Sequence, residues 1–502
     1  MAAIEQSDVI YFVITDRFQN GDPSNDRNVD RSNPRAFHGG DFEGLIQKIP
    51  YFKTLGITAL WITPVYVNID DFFDSAGYHG YWAMDFDRVD SHLYSAKPNR
   101  AEGSREYLKD LVDAFHQAGI KVILDMVVNH TGYHTPAYHN YPHRRFEEHH
   151  FNRGTGDIEG SLSGLPDLDR DQPEVADYFV QNILDWIEET GIDGIRMDTV
   201  KHVEDVFWTL FKSQIKARHP EVTLIGEVLN WHPGFIARYQ EDRDFDTLFD
   251  FPLCGTLKGT LVWDLPMTLL ARPRLHPHET WGRLDEDAIY TNTNRLVTLL
   301  DNHDLDRRIT TEILDSVGHW DRDLARKVLK LCLTFLFTTR GIPQIYYGTE
   351  IGMEGRSDPD NRRDMPWSIF GADYLPKEEY TFERDIFLHL QKLIQIRSNN
   401  PAICYGYLLT LYVDRYLYVY LREFRGNVVV VAANSGRGDM QYPATIAISA
   451  NGNIPPRIKQ LLSDGTPLRS QFSELPDLTV NVGSIEFQLP GKTAGIYVLS
   501  SR

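Results

Sequence analysis

Cysteine is scarce in this chain: Cys254, Cys332 and Cys404 lie far apart, with no CxxC spacing. Neither a disulfide framework nor a zinc knuckle follows from that, and buried reduced thiols are the expectation. Positive charge is in deficit as well. Lysine and arginine number 51 against 71 aspartates and glutamates, a formal net charge of -20, so nucleic acid or an acidic membrane surface would be repelled. A neutral substrate and bound cations are easier to accommodate. No run approaches the ~18 apolar residues of a bilayer-spanning helix. The opening MAAIEQSDVIYFVITDRF lacks a basic n-region and a small-residue cleavage site and reads as a strand, not a signal peptide. A cytoplasmic protein is expected, with the reservation that a mature secreted chain would read the same.

What the chain has in quantity is apolar and aromatic side chains, 42 % and 12 % of its 502 residues. That is enough for a sizeable core in a chain too long for one ordinary domain. Eight short β-rich apolar runs recur in the first 350 residues: 8 to 18, 55 to 65, 119 to 130, 191 to 198, 223 to 228, 245 to 251, 295 to 304 and 341 to 348. Helical patterns lie between several of them. Leu108, Leu111, Val112 and Phe115 share one face, and 173 to 190 opens with Pro173 and stops before Gly191. Strands alternating with amphipathic helices imply a parallel sheet, and eight such units imply an α/β fold closed as a (β/α)8 TIM barrel.

The barrel is expected over 1–130 and 173–400. Residues 131–172, aperiodic and rich in His, Tyr, Pro and Gly, form an inserted domain after the third strand, and a loop of that length is normally functional. From 401 to 502 the texture changes to alternating strands without helices, which predicts a C-terminal antiparallel β domain, a β-sandwich.

Polar residues gather at the C-terminal ends of the barrel runs, where such barrels keep their active sites. Asp125, Asn129 and His130 end the third. Arg196 and Asp198 close the fourth, two residues apart and so on the same side, where the guanidinium can keep the carboxylate ionised. Glu227 ends the fifth after an apolar stretch, where desolvation should raise its proton affinity and suit it to general-acid work. Asp304 ends the seventh beside His303 and could stabilise an oxocarbenium-like transition state. Any one of these acids alone reads better as a helix cap or surface carboxylate. Four strand ends bearing them together reverse that.

DMVVNH (125 to 130), LPDLD (165 to 169), GIRMDTVKH (194 to 202), IGEV (225 to 228) and LDNHD (300 to 304), with GIPQIYYGTE (341 to 350) and DPDNR (358 to 362), resemble the ordered signature motifs of the α-amylase family of α-glucan hydrolases and transferases. The resemblance implies Asp198 as nucleophile, Glu227 as acid and base, and Asp304 as transition-state stabiliser. It places Arg196, His130 and His303 against the glucose at the cleavage site, with Asp125 alongside, Tyr81 stacking on its ring and His79 nearby. Lys201 and His202 would line the leaving-group side, and Asp358 and Arg362 the opposite, non-reducing side. It implies Ca2+ held by Asn129, Asp167 and the backbone carbonyl of His202, hard oxygen donors of the kind that ion requires. NGDPSND (20 to 26) resembles a second calcium loop, with Asn20, Asp22, Asn25, Asp26, Asp41 and the Gly39 carbonyl as ligands, although Asx-rich turns are common without metal. Six of the eighteen histidines fall between 130 and 150, without HExxH spacing, and none but His130 is assigned a role.

Within the family the expected reaction is retaining hydrolysis of α-1,4-glucosidic bonds in starch, glycogen or maltooligosaccharides. Cyclisation of the glucan is disfavoured by Ser163 where cyclodextrin glucanotransferases carry an aromatic, by Val228 and Leu229 after the acid, and by the lack of room for extra C-terminal domains. DPDNRRDMPW (358 to 367) looks more like cyclomaltodextrinases and neopullulanases, so a maltodextrin hydrolase of that type, or a 4-α-glucanotransferase, is the alternative, and a catalytically inactive binding subunit a remote one. A monomer acting on an α-glucan is expected, with neither nucleic acid nor membrane as partner.

Overall fold

The structure, a computed structural model, describes residues 2–133, 146–241, 245–272, 282–437 and 442–499. Part of the expected inserted domain, 134 to 145, therefore lies outside the described residues.

Eight parallel strands form the centre: β1 (Ile10–Val13), β2 (Ala59–Ile62), β3 (Lys121–Met126), β4 (Gly194–Met197), β5 (Thr223–Gly226), β6 (Thr247–Leu248), β7 (Val297–Thr298) and β8 (Ile342–Tyr346). Each falls inside one of the eight runs. They pair in the order β6-β5-β4-β3-β2-β1-β8-β7, and a parallel bridge from Phe249 to Val297 joins the two ends. Every residue of β1, β2, β4 and β5 is buried, because one face fills the barrel and the other lies under helices. Strands of that kind read as continuous apolar runs. Around them stand α1 (Ile49–Leu55), α2 (Glu106–Gln117), α3 (Pro173–Thr190), α4 (Asp205–Arg218), α5 (Pro233–Glu241), α6 (Phe251–Leu257), α7 (Ile309–Val317), α8 (Arg322–Thr338) and α9 (Thr381–Asn399). In α2 the buried face includes Leu108, Leu111, Val112 and Phe115. Pro173 opens α3, and Gly191 ends it at φ 75°, a left-handed conformation a glycine adopts without a Cβ clash.

One element unforeseen in the sequence follows β2: Tyr66–Asn68 pairs antiparallel with Ala83–Val89. The connection between these two segments carries His79 and Tyr81 to the barrel mouth. Its first strand is three residues long and its register shifts twice, so no alternating pattern marks it.

The C-terminal region holds β9 (Tyr407–Val413), β10 (Leu417–Phe424), β11 (Asn427–Asn434), β12 (Tyr442–Ala447), β13 (Pro467–Ser470), β14 (Leu478–Thr479), β15 (Ser484–Leu489) and β16 (Thr493–Leu499). Six form an antiparallel sheet, β9-β10-β11-β16-β13-β14, and β12 pairs with β15. The expectation of strands without helices needs correction, since Pro401–Tyr405 and Pro456–Leu461 are helical. Both open on proline at the first turn, and Ile458 of the second is buried together with Leu462 just past its end. The sheet seats on α8 through a Thr338–Tyr420 hydroxyl contact of 2.6 Å. Cys254, Cys332 and Cys404 are free and buried, and among the described residues no helix is long and apolar enough to cross a membrane.

Candidate active site

Arg196 organises the mouth of the barrel. Its Nη1 donates to Asp198 Oδ1 at 2.6 Å and to Asp125 Oδ1 at 2.9 Å, while Nη2 lies 3.9 Å from Asp304 Oδ2. The two-residue period of β4 sets Arg196 and Asp198 on one side, and the parallel register of β3 brings Asp125 opposite Arg196. Asp125 also accepts from Tyr81 Oη at 2.6 Å and from Trp61 Nε1 at 3.1 Å. Complete burial pushes its carboxyl up to about 7 against the pull of Arg196.

Glu227 is held differently. Burial pushes its carboxyl up to about 7, Arg196 opposes the rise, and the charges of Asp198 and Asp304 add to it. Glu227 Oε2 accepts from the backbone N–H of Thr199 at 3.0 Å. That amide is aimed by a left-handed turn, since Thr199 has φ 51°, a costly conformation for a β-branched residue that persists only where its surroundings impose it. Adjacent strand ends therefore carry one carboxylate paired to a guanidinium and one carboxyl that keeps its proton to near neutrality, the division of labour that acid and nucleophile require.

Tyr81 and the histidines wall the same space. The Tyr81 ring stacks on His303, centroids 5.3 Å apart, and His303 Nε2 lies 3.4 Å from Asp304 Oδ2. His79 Nδ1 accepts the Tyr81 N–H at 3.1 Å, which puts its proton on Nε2, and His130 Nε2 lies 3.1 Å from the Tyr81 carbonyl. Burial lowers the proton affinity of all three imidazoles, so they meet a sugar as neutral rings. Arg362 donates to the His303 carbonyl at 3.1 Å and lies 3.6 Å from Asp304 Oδ1 and 3.2 Å from Asp358 Oδ1, fixing one edge of the mouth. On the other edge Lys201 Nζ donates to the Leu229 carbonyl at 3.0 Å, and His202 Nδ1 lies 2.7 Å from the Asp157 carbonyl.

The structure thus gathers Asp125, Asp198, Glu227, Asp304, Arg196, Tyr81, His79, His130, His303, Asp358 and Arg362 around one opening, with Lys201 and His202 engaged to backbone carbonyls beside it. Sequence reasoning missed Trp61, stacked 3.7 Å from Phe12 and donating to Asp125. It missed Tyr78, whose hydroxyl reaches Asp358 at 3.4 Å, and Thr199. Tyr78 adjoins His79 and Tyr81 in GYHGYW (77 to 82); Trp61 lies in an apolar strand and looks like core.

For the first cation position, the Asn129 side-chain oxygen lies 2.9 Å from the His202 carbonyl and 3.1 Å from Asp167 Oδ1. Three oxygens from three segments converge, so the donor set fits a hard divalent ion. Turned over, the same amide donates to both oxygens and closes the cage with hydrogen bonds. The Asn20 loop is less uniform. The oxygens of Asn20 and Asn25 are buried and unpartnered, and Asp26 lies within 2.9 Å of the Asn20 amide nitrogen. A Cβ on Gly39, at φ 88°, would collide with Asp26 and Asn20. Those four residues fit a cation. Asp41, however, caps a helix, accepting from Gly21, Asp22 and Gly44 amides and from Asn25 Nδ2, and Asp22 accepts from Ser24. His149, His150 and Glu174 also gather, but His150 Nδ1 accepts the Glu147 N–H. Its proton therefore sits on Nε2, facing Glu174, and leaves no lone pair there for a metal.

A (β/α)8 barrel with a guanidinium-paired carboxylate and a buried glutamic acid on adjacent strand ends, walled by aromatic and imidazole rings, carries the groups that glycoside chemistry uses. Residues 12–153 and 158–406 match the α-amylase catalytic domain, and the chain belongs to the α-amylase family of glycoside hydrolases and transferases. It is 33 % identical to a β/α-amylase of Paenibacillus polymyxa over 97 % of this chain, and spans 37 % of that relative's length. An α-amylase structure from Anoxybacillus, 33 % identical with a TM-score of 0.81, covers 99 % of this chain and 98 % of its own. A cyclomaltodextrin glucanotransferase with a three-domain ABC distribution is 27 % identical with a TM-score of 0.78, over 98 % of this chain and 99 % of its own. That last likeness removes one reason against cyclisation: such an enzyme exists without extra C-terminal domains.

Proposed function

We propose that the chain hydrolyses α-1,4-glucosidic bonds of starch, glycogen or maltooligosaccharides with retention of configuration. The observation that carries this is the contrast between Asp198, 2.6 Å from the Arg196 guanidinium, and Glu227, whose burial keeps it protonated to about 7. Glu227 gives its proton to the glycosidic oxygen while Asp198 attacks C1, so the leaving chain departs neutral and a glycosyl ester forms. Glu227, now a carboxylate, then takes the proton of an incoming hydroxyl that displaces Asp198. Asp304, with Arg362 and His303 beside it, faces the sugar whose ring carries the developing positive charge. When bound, a calcium ion would be held by Asn129, Asp167 and the His202 carbonyl, and would supply rigidity to the turn that carries Lys201 and His202. The loop ion would fall to Asn20, Asn25, Asp26 and Gly39.

A timed product profile from soluble starch, maltoheptaose, β-cyclodextrin and pullulan tests the reading. Rapid shortening of starch with slow attack on cyclodextrin is expected. Preference for cyclodextrin would move the chain to the cyclomaltodextrinase reading, and accumulation of cyclic products from starch to the glucanotransferase one.

A further inference from the structure

The three acids given roles in the reaction are not held alike. Asp198 receives Arg196 Nη1 at 2.6 Å, and Glu227 receives the Thr199 N–H at 3.0 Å. Among the described residues no hydrogen bond reaches the Asp304 carboxylate: His303 Nε2 stands at 3.4 Å, Arg362 Nη2 at 3.6 Å and Arg196 Nη2 at 3.9 Å. Its placement falls to its backbone, and that backbone is clipped from both sides. The Asn302 side-chain oxygen accepts the N–H groups of Asp304 and Leu305, each at 3.0 Å, an Asx turn made with its own chain neighbours. The second clip is distant in sequence. Asn361, from the loop after β8 and 1 % exposed, donates its amide nitrogen to the carbonyls of His303 and Leu305, the residues before and after Asp304, each at 3.0 Å. Both amide protons are used on another loop, while the Asn361 side-chain oxygen is buried without a partner, a destabilising arrangement that packing alone does not call for. Asn361 is itself fixed. Its carbonyl accepts from Arg308 Nε at 2.9 Å and from Tyr346 Oη at 3.0 Å, and a Cβ on Gly355 would lie 2.8 Å from the Asn361 Cα, so the loop is folded tightly over it.

We propose that Asn361 is the positioning residue for Asp304, holding the turn at its two flanking carbonyls so that the carboxylate is in place before charge develops on the sugar. The inference rests on the role given to Asp304 in the retaining reading above. Asn361 makes and breaks no bond with substrate. A carboxylate that has to swing into place during the reaction adds that reorganisation to the barrier, whereas one already in place does not. Asp198 and Glu227 have side-chain and backbone donors of their own to fix them; Asp304 has the turn, and the turn has Asn302 and Asn361. Because Asp304 is argued to act in the transition state, the effect of Asn361 belongs in turnover and not in ground-state binding.

The test is a double-mutant cycle on the full chain, with fluoride release from α-maltotriosyl fluoride as the rate and each protein scaled to its folded fraction by near-ultraviolet circular dichroism. Asn361→Ala should lower kcat about tenfold to hundredfold, the scale of a displaced reacting group, with KM within about threefold. Asn361→Asp, which keeps the shape and loses the amide donors, should also lose at least about tenfold. In an Asp304→Asn background the Asn361→Ala change should cost no more than about twofold, because the group it positions has already lost its charge. A residue that merely knits the two loops together would cost the same factor in both backgrounds. That equal factor, an undiminished kcat in Asn361→Ala, or a loss carried by KM would overturn the proposal and leave the retaining reading standing. Full turnover in Asp304→Asn, or no fluoride release from the unaltered chain, would overturn that reading and this inference with it.

Discussion

At the barrel mouth Asp125 and Asp198 are met by one guanidinium, that of Arg196; in the segment from Asp16 to Asp41, buried carboxylates are met by backbone amides. Asp16 accepts from the His38 and Gly39 N–H groups, and Asp41 from those of Gly21, Asp22 and Gly44. Burial raises the proton affinity of Asp16 and Asp41 as it does that of Glu227. A raised pKa therefore marks burial in both regions and distinguishes neither. The donors distinguish them. Asp16 and Asp41 each accept from several backbone amides, which fix the segment, whereas Asp125, Asp198 and Asp304 lie about one guanidinium and Glu227 accepts from a single backbone amide, that of Thr199.

The largest effect that would break this comparison belongs to Glu227. Glu227→Gln should leave folding intact and lower kcat on maltoheptaose by about 10²–10⁴-fold, and Asp198→Asn should cost at least as much. Because Glu227 works protonated, kcat/KM should fall as pH rises through about 7, and that alkaline limb should vanish from the residual activity of Glu227→Gln. The stability sign is the reverse of the catalytic one. A folded value of about 7 against an ordinary 4.5 means the native state binds more protons between those limits, so stability declines as pH rises across that window. Glu227→Gln should then melt higher than the unaltered chain at pH 8, as active-site carboxyls held against their preference usually do. A lower melt would place Glu227 with the structural carboxylates. The next effect is opposite in sign and smaller in rate. Asp41→Ala orphans three backbone N–H groups, that of Gly44 at a helix start and those of Gly21 and Asp22 in the loop beside it, and should cost about 1–3 kcal/mol of stability, read by denaturant unfolding, while the turnover of the molecules that remain folded stays near that of the unaltered chain.

The same distinction decides what the sequence could disclose. The barrel was legible because strands buried on both faces read as apolar runs, and this held even where β6 and β7 shrink to two residues each inside longer runs. The acids were legible because they end those runs. What stayed hidden was set by contacts distant in sequence. Nothing in MDTVKH announces that Thr199 turns left-handed to aim its amide at Glu227. Trp61 is one more apolar residue in ALWI until Asp125 is found under its N–H. Gly255 in a helical segment reads as a weak point, and its reason is the Trp231 ring packed against it. The C-terminal helices were missed because, at five and six residues, each is too short for a periodic pattern to show.

The smallest expected effect concerns the Asn129 cage, where the two modes of satisfaction meet. With its oxygen toward the His202 carbonyl and Asp167, Asn129 offers a cation three oxygens, and its Nδ2 faces His130 Nδ1 at 3.3 Å. With the cation gone, rotation of one amide answers the same two oxygens by hydrogen bonds of 2.9 and 3.1 Å, so the cage does not collapse into unpaired buried groups. Chelation should therefore lower the melting temperature by a few degrees and no more, and added calcium should restore it in proportion to the logarithm of its concentration, as linkage requires. Asn129→Leu cannot make either arrangement, and its melt should be indifferent to calcium at this position. A melt of the unaltered chain that chelator leaves unmoved would remove the ion and make Asn129 a purely hydrogen-bonded link between the inserted segment and β3.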